Sequence, residues 1–312
     1  MTSSGDSRRR ALIALFVGAL FIALSPIFVR LAETGPTATA FWRVALALPA
    51  FWAGLVLVPG ALGAAPQALR QWPLLLVAGA AFAGDLGLWH TSIQLTSVAN
   101  STVLVNIAAV LVTLASWLIW RRRPQRLFLA GLALSVGGVV LLVRASFSYS
   151  TSALAGDLLG LGTAVFYAIY LLCIGVLRGR GAATLPLMSV ASSVTALVLL
   201  PLALLSGERM LPQTAWGWAT LAGLALASHA GGQGLITYAL AHLPASFSAV
   251  SLLLQPVVAA LIAWALFGEA LGPLQLAGAA MVLAGIYLAN LSARNEQARH
   301  SASKEQKRSN AA

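Results

Sequence analysis

The chain has 312 residues, 59% of them hydrophobic and only 9% charged, with a formal net charge of +11. A soluble domain keeps roughly a quarter of its residues charged, so this composition, with a mean hydropathy of +0.87, excludes a water-soluble globule and indicates a polytopic membrane protein. The basic residues sit between apolar runs and at the two tails, where they read as topology and not as a nucleic-acid surface.

Residues 1–10 form a basic segment ending in Arg8, Arg9 and Arg10, and the apolar run ALIALFVGALFIAL follows. That run continues past Pro26 without a distinct small-residue cleavage pattern, so it reads as a retained first helix and not as a signal peptide. About 20 apolar residues are needed to cross a bilayer as a helix. Cutting the chain at its charged and Pro/Gly-marked breaks predicts ten spans, at 11–32, 37–58, 72–93, 97–120, 126–144, 156–178, 184–206, 214–239, 245–267 and 273–292. The fold class expected is therefore an all-α polytopic membrane protein. Residues 293–312 are polar, basic and free of aromatics, which predicts a disordered cytoplasmic tail drawn to anionic lipid. Cys173 is the only cysteine, so no disulfide or cysteine metal cluster is expected, and no cofactor.

With the N-terminus inside, fifteen of the nineteen Lys and Arg residues fall on cytoplasmic segments. Arg30, Arg43, Arg144 and Arg209 remain outside, beside Glu33, Asp157, Glu208 and Glu269. Both termini are expected in the cytoplasm of a bacterial cell, with the chain in its inner membrane.

WLIWRRRPQRLFLAG (117–131) and WALFGEALGPLQLAG (264–278) share an apolar frame but reverse their charge. Sliding residues 84–141 by 147 positions gives fifteen identities without a gap, among them Gly84/Gly231, Trp117/Trp264, Gly131/Gly278 and Gly138/Gly285. Each half holds five spans, residues 11–144 and 156–292. Five is odd, so the second half enters the membrane inverted. The frame is kept for packing, and the charge follows the opposite face.

Inverted five-helix repeats, FWR (41–43), SVANSTVL (97–104), ASFSAVSLLLQP (245–256) and LFGEAL (266–271) together resemble the EamA-type proteins of the drug/metabolite transporter superfamily. The resemblance covers residues 11–292 and is greatest to the bacterial aromatic amino-acid exporters. It implies a secondary transporter that exports amino acids with aromatic or large apolar side chains by alternating access. One departure is that Ala108-Ala109 stands where the second repeat has Gln255-Pro256, so the resemblance does not imply that both halves bend alike.

Polar residues inside spans are the candidates for substrate contact, since stranding them in hydrocarbon is costly. Asp85 either binds a substrate amino group or proton, or caps a turn between Gly84 and Gly87. His229 and Gln233 share a helical face, where the histidine either titrates or hydrogen-bonds a neighbouring helix. Asn106 with Thr102, and Ser251 with Gln255, either join helices or line a polar cavity. Pro256 should free the carbonyl of Leu252, which favours cavity lining for the ninth span, and Ser25-Pro26 should break the first. Phe82, Trp89, Phe166 and Tyr170 could stack on an apolar substrate or simply pack. Arg30, Glu33 and Arg43 surround the first outer hairpin, as a gate or a solvated cluster. His90 and His242 fall at loop ends, and Trp117, Trp120, Trp216, Trp218 and Trp264 read as interface anchors.

The competing functions are export of drugs or other metabolites, a membrane enzyme, and a structural or receptor protein. Nucleotide sugars are disfavoured because no cation is expected mid-span from the sequence, and an enzyme because H-E-x-x-H, G-x-S-x-G and paired in-span acids are lacking. The partners expected are a small-molecule substrate and the lipid bilayer, with no oligomeric partner required.

Overall fold

The computed structural model describes residues 4–309 except Ser97, Arg122, 144–150 and 268–271. Arg122, Arg144 and Glu269 of the charge argument therefore lie outside the described residues. Every described element is helical. In chain order these are α1 (Ser4–Ala23), α2 (Ser25–Leu31), α3 (Pro36–Ala45), α4 (Leu48–Leu57), α5 (Ala65–Leu69), α6 (Trp72–Leu95), α7 (Val98–Asn106), α8 (Ala108–Trp120), α9 (Arg126–Val143) and α10 (Thr151–Gly179). There follow α11 (Thr184–Leu205), α12 (Ala215–Gly223), a π-helical stretch Leu224–Gln233, α13 (Gly234–Ala239), α14 (Ala245–Ser251), α15 (Leu254–Phe267) and α16 (Pro273–Ser309).

Grouped across their breaks, the described helices make ten spans. Seven are long and apolar enough to cross a membrane unaided: Asp6–Leu31, Pro36–Leu57, Trp72–Leu95, Leu154–Gly179, Thr184–Leu205, Ala245–Ile262 and Pro273–Ala293. Leu104–Trp120 and Arg126–Leu142 are shorter apolar helices, and the eighth span is divided by the π stretch. Leu57, Leu118, Ile119, Leu197, Leu205 and Trp216 stand out from the bundle, each more than 60% exposed, as a lipid-facing surface requires. Trp117, Trp120, Trp218 and Trp264 are exposed near span ends as expected of interface anchors.

Successive spans run antiparallel, so one end of the bundle gathers both chain ends and most arginines. There Arg8 Nη2 donates to Asn290 Oδ1 at 2.8 Å, and Gln67 Nε2 to the Arg180 carbonyl at 3.1 Å. The tenth span continues as helix to Ser309, where a disordered tail was expected from 293. The continuation is rich in Ala, Glu, Gln, Lys and Arg and contains neither Gly nor Pro, so nothing stops the helix.

The two repeats meet where α9 crosses α16. Ser135 and Val282 are equivalent positions 147 residues apart, and Ser135 Oγ donates to the Val282 carbonyl at 3.3 Å. The pseudo-twofold axis passes between them. On either side, a Cβ on Gly131 would lie 2.6 Å from the Gly285 carbonyl oxygen, and one on Gly138 would lie 2.7 Å from that of Gly278. Backbones this close admit only glycine.

Three spans break near proline: the first between α1 and α2 before Pro26, the second before Pro49, and the ninth between α14 and α15 before Pro256. The fourth breaks at Ile107 without one. There Asn106 Nδ2 donates to the Thr102 carbonyl at 2.7 Å, competing for the acceptor of a helical turn. Both halves thus break at the equivalent level by different chemistry. The expected free carbonyl of Leu252 is not free: the Gln255 amide donates to it at 3.0 Å in a tightened turn.

At the end opposite the arginine-rich one, two carboxylates cap each other's hairpins. Glu33, in the α2–α3 loop, accepts from the Gln213 and Thr214 amides and the Thr214 hydroxyl ahead of α12. Glu208, between α11 and α12, accepts from the Thr37 and Ala38 amides and the Thr37 hydroxyl in the first turn of α3. Both satisfy orphan amides and favour the positive end of a helix dipole. Trp42 Nε1 donates to the Met210 carbonyl at 2.7 Å, and its ring meets Trp218 edge-on at 5.1 Å. The hydroxyl of Thr214, then the Gln213 amide, hold the Glu33 carboxyl below its usual 4.5. A carboxyl lowered on folding stabilises above its unfolded value and loses that contribution as pH falls through the folded one. Glu33→Gln should therefore lower Tm by a few degrees at pH 7 in detergent, and the gap to wild type should close once the pH falls well below 4.5.

Candidate functional site

A central cavity lies between the two halves. Its wall is assembled from seven spans, and four of these breach regular helix nearby. Ile22, Ser25 and Pro26 come from the α1–α2 break, Thr102 and Asn106 from the α7 end, Gln255 and Pro256 from the α14–α15 break, and Gln233 from the end of the π stretch. Phe82, Asp85 and Trp89 line it from α6, Tyr167 from α10 and Arg43 from α3.

Arg43 and Asp85 set its chemistry. Arg43 is 3% exposed and Asp85 6%, and each is the principal charged neighbour of the other. The Arg43 Nε has no hydrogen-bond partner, and none of the described residues bonds the Asp85 carboxylate. Gln255 Nε2 is a further buried donor without a partner, whereas the Gln233 side chain lies within hydrogen-bonding reach of the Tyr167 and Tyr170 hydroxyls. A charge at this depth needs a partner or water. The cavity thus presents two unused donor groups and one unused carboxylate, a set that suits a ligand carrying both an anionic and a cationic group.

Behind this wall runs a stack of rings. Tyr167 stacks on Tyr170 at 6.2 Å, Tyr170 on Phe82 at 4.5 Å and Phe82 on His229 at 5.3 Å, and Phe51 meets His229 edge-on at 5.6 Å. His229 Nε2 is 2.9 Å from Ser192 Oγ, which ties the eighth span to the seventh. Ser228 Oγ donates to the Phe21 carbonyl at 3.0 Å, where the π stretch packs on α1.

Of the substrate-contact candidates, Phe82, Asp85, Trp89, Asn106, Gln233 and Gln255 share this cavity. Tyr170 and His229 are fully buried one layer behind it. Ser251 is buried with its hydroxyl donating to the Phe247 carbonyl at 3.0 Å, within its own helix. Phe166 does not reach the cavity: its ring covers Gly84 and is 37% exposed on the lipid side. The three gate candidates separate. Arg30 is exposed, Glu33 caps α12, and Arg43 lies inside the cavity because α3 starts at Pro36 and carries it about 10 Å inward. His90 is fully buried in α6, not at a loop end.

Tyr167 is a polar wall residue that was not among the sequence candidates. The signal was present: a phenol inside a span needs a polar surrounding, whereas its neighbour Phe166 does not.

A second and larger cavity lies towards the arginine-rich end. It shares no lining residue with the first. Between the levels of the two lie Ala109 and Val112 of α8, Leu171 of α10 and Val250 of α14, all buried.

Comparison with known proteins gives two findings. The model of the EamA-like transporter family matches residues 9–144 and 154–291. A solved crystal structure of a protein with 17% sequence identity aligns with a TM-score of 0.74, over 94% of this chain and 99% of that one, which shows a shared fold. No curated protein matches by sequence.

Proposed function

We propose, for a chain that belongs to the EamA-like transporter family of the drug/metabolite transporter superfamily, that its cargo is an α-amino acid with an aromatic or large apolar side chain. The family is one of transporters and not of enzymes. The observation that carries the reading is the pairing of Arg43 and Asp85 in one buried cavity walled by Phe82, Trp89 and Tyr167. Arg43, with the amide of Gln255, holds the substrate carboxylate, and Asp85 holds its ammonium. The rings accept the side chain. Neither charge has to be desolvated alone, because the zwitterion brings a partner to each.

The arginine-rich end is the cytoplasmic end of an inner-membrane protein, by the excess of basic residues there. Transport proceeds by alternating access, the cavity opening in turn to either face as the repeats rock about the α9–α16 crossing. Export is the direction this reading assigns.

Purified protein in liposomes tests the cargo. Labelled L-phenylalanine should show saturable flux, inhibited by unlabelled Phe or Leu and unaffected by sugars. Flux of a cationic drug with none of any amino acid would sink the reading and leave the architecture intact.

A further inference from the structure

We propose that the second cavity is a separate anion-binding site, which collects the carboxylate end of an amphiphilic solute from the arginine-rich face. Its assignment to substrate loading rests on the amino-acid reading above; the anion site itself does not.

The cavity is ringed by the end of α8, the start of α9, the end of α10, the 240–247 connection and Ser292-Ala293 of α16. Arg123 and Arg180 are its charged lining residues, and no Asp or Glu lines it among the described residues. Arg180 Nη1 donates to Gln71 Oε1 at 3.3 Å, which leaves its other nitrogens as donors. Gln125 uses its oxygen to accept from Ser292 Oγ at 3.1 Å, so its amide nitrogen is the group left to donate. The polar side of the cavity is thus a set of donors without an acidic counterpart. The other side is apolar, formed by Trp117, Trp120, Phe128 and Phe247. Two cations facing aromatic walls suit an organic anion with an apolar body better than a small inorganic ion. Cations within a low-dielectric funnel also raise the local concentration of anions. The buried layer of Val112, Leu171 and Val250 separates this site from the central one.

The same chemistry would fit a solute carboxylate or the phosphate of an anionic lipid, and the test separates them. Full-length protein is placed in nanodiscs of phosphatidylcholine alone, and of phosphatidylcholine with phosphatidylglycerol. The probe is labelled 3-phenylpropionate, a carboxylate on an aromatic body that lacks the ammonium. Binding should be saturable in both lipid mixtures, about tenfold weaker in the R123Q/R180Q double variant, and largely restored in R123K/R180K. Both arginines are exposed, and a monodisperse elution profile with an unchanged Tm shows that each variant has folded. Equal affinity in the wild type and R123Q/R180Q would overturn the site. Binding in the neutral nanodiscs that disappears with phosphatidylglycerol would give the site to a lipid headgroup and overturn the loading role. Arginine-dependent binding in a protein that moves no amino acid would refute the cargo assignment alone.

Discussion

Arg43→Gln is expected to cut L-phenylalanine flux by roughly a hundredfold, since truncating one partner of a buried charge pair costs about 2–5 kcal/mol and 1.4 kcal/mol is a factor of ten. The arginine sits at 3% exposure, in the cavity where the substrate carboxylate is placed. Asp85→Asn should be nearly as damaging, by removing the ammonium partner and leaving Arg43 without its charged neighbour. The two losses should not add. Each single variant strands the other charge, so the double variant should be less impaired than the product of the singles. Initial rates in proteoliposomes check this, with Arg43→Lys as the conservative control. A planar guanidinium is replaced there by a point charge, which should restore part of the flux.

Gly278→Leu should prevent accumulation of folded protein. The Cβ alone would come within 2.6 Å of both the Gly138 carbonyl oxygen and the Leu142 amide nitrogen, both backbone atoms that cannot turn aside. The helices would have to separate at the crossing that joins the two repeats. Fluorescence-detected size exclusion should show aggregate in place of the wild-type peak. Gly137→Leu is the control, because a Cβ there meets only the Met281 side-chain terminus at 3.5 Å. A normal peak for Gly278→Leu would mean that the α9–α16 crossing does not hold the halves together.

The span count and the inverted repeat could be read from the chain because both rest on signals that survive in one dimension, namely apolar run length and the 147-residue register. Glycines 131, 138, 278 and 285 were visible as repeat identities, and the structure shows why each was kept. Local chemistry was harder to read. Pro26 and Pro256 announced their breaks, whereas the break at Ile107 depends on an Asn106 bond that sequence spacing does not display. The π stretch around His229 has no sequence mark beyond its paired glycines, and it turns Gln233 into the cavity while His229 stays behind.

Arg43 shows the limit most directly. Proximity to Arg30 and Glu33 in the sequence suggested one cluster, but seven residues of helix after Pro36 carry it two turns inward. Phe166 and Tyr167 differ by about 100° around α10, enough to send one ring to lipid and the other to the cavity. Neither apolar content nor aromatic character separates them. The reciprocal caps of Glu33 and Glu208 join loops about 180 residues apart and could not be seen before the hairpins were brought together.

The central claim is that the cavity between Arg43 and Asp85 recognises both ends of a zwitterion. It is tested most directly by inhibition of L-phenylalanine flux with analogues added at the face opposite the arginine-rich end. Phenylalaninamide lacks the carboxylate for Arg43, and 3-phenylpropionate lacks the ammonium for Asp85. Each should inhibit at least about tenfold more weakly than L-phenylalanine itself, one decade being the least expected from losing a charge-assisted contact. If either analogue matched L-phenylalanine, the charge it lacks would not be read by this site, and the account of the cavity would be wrong.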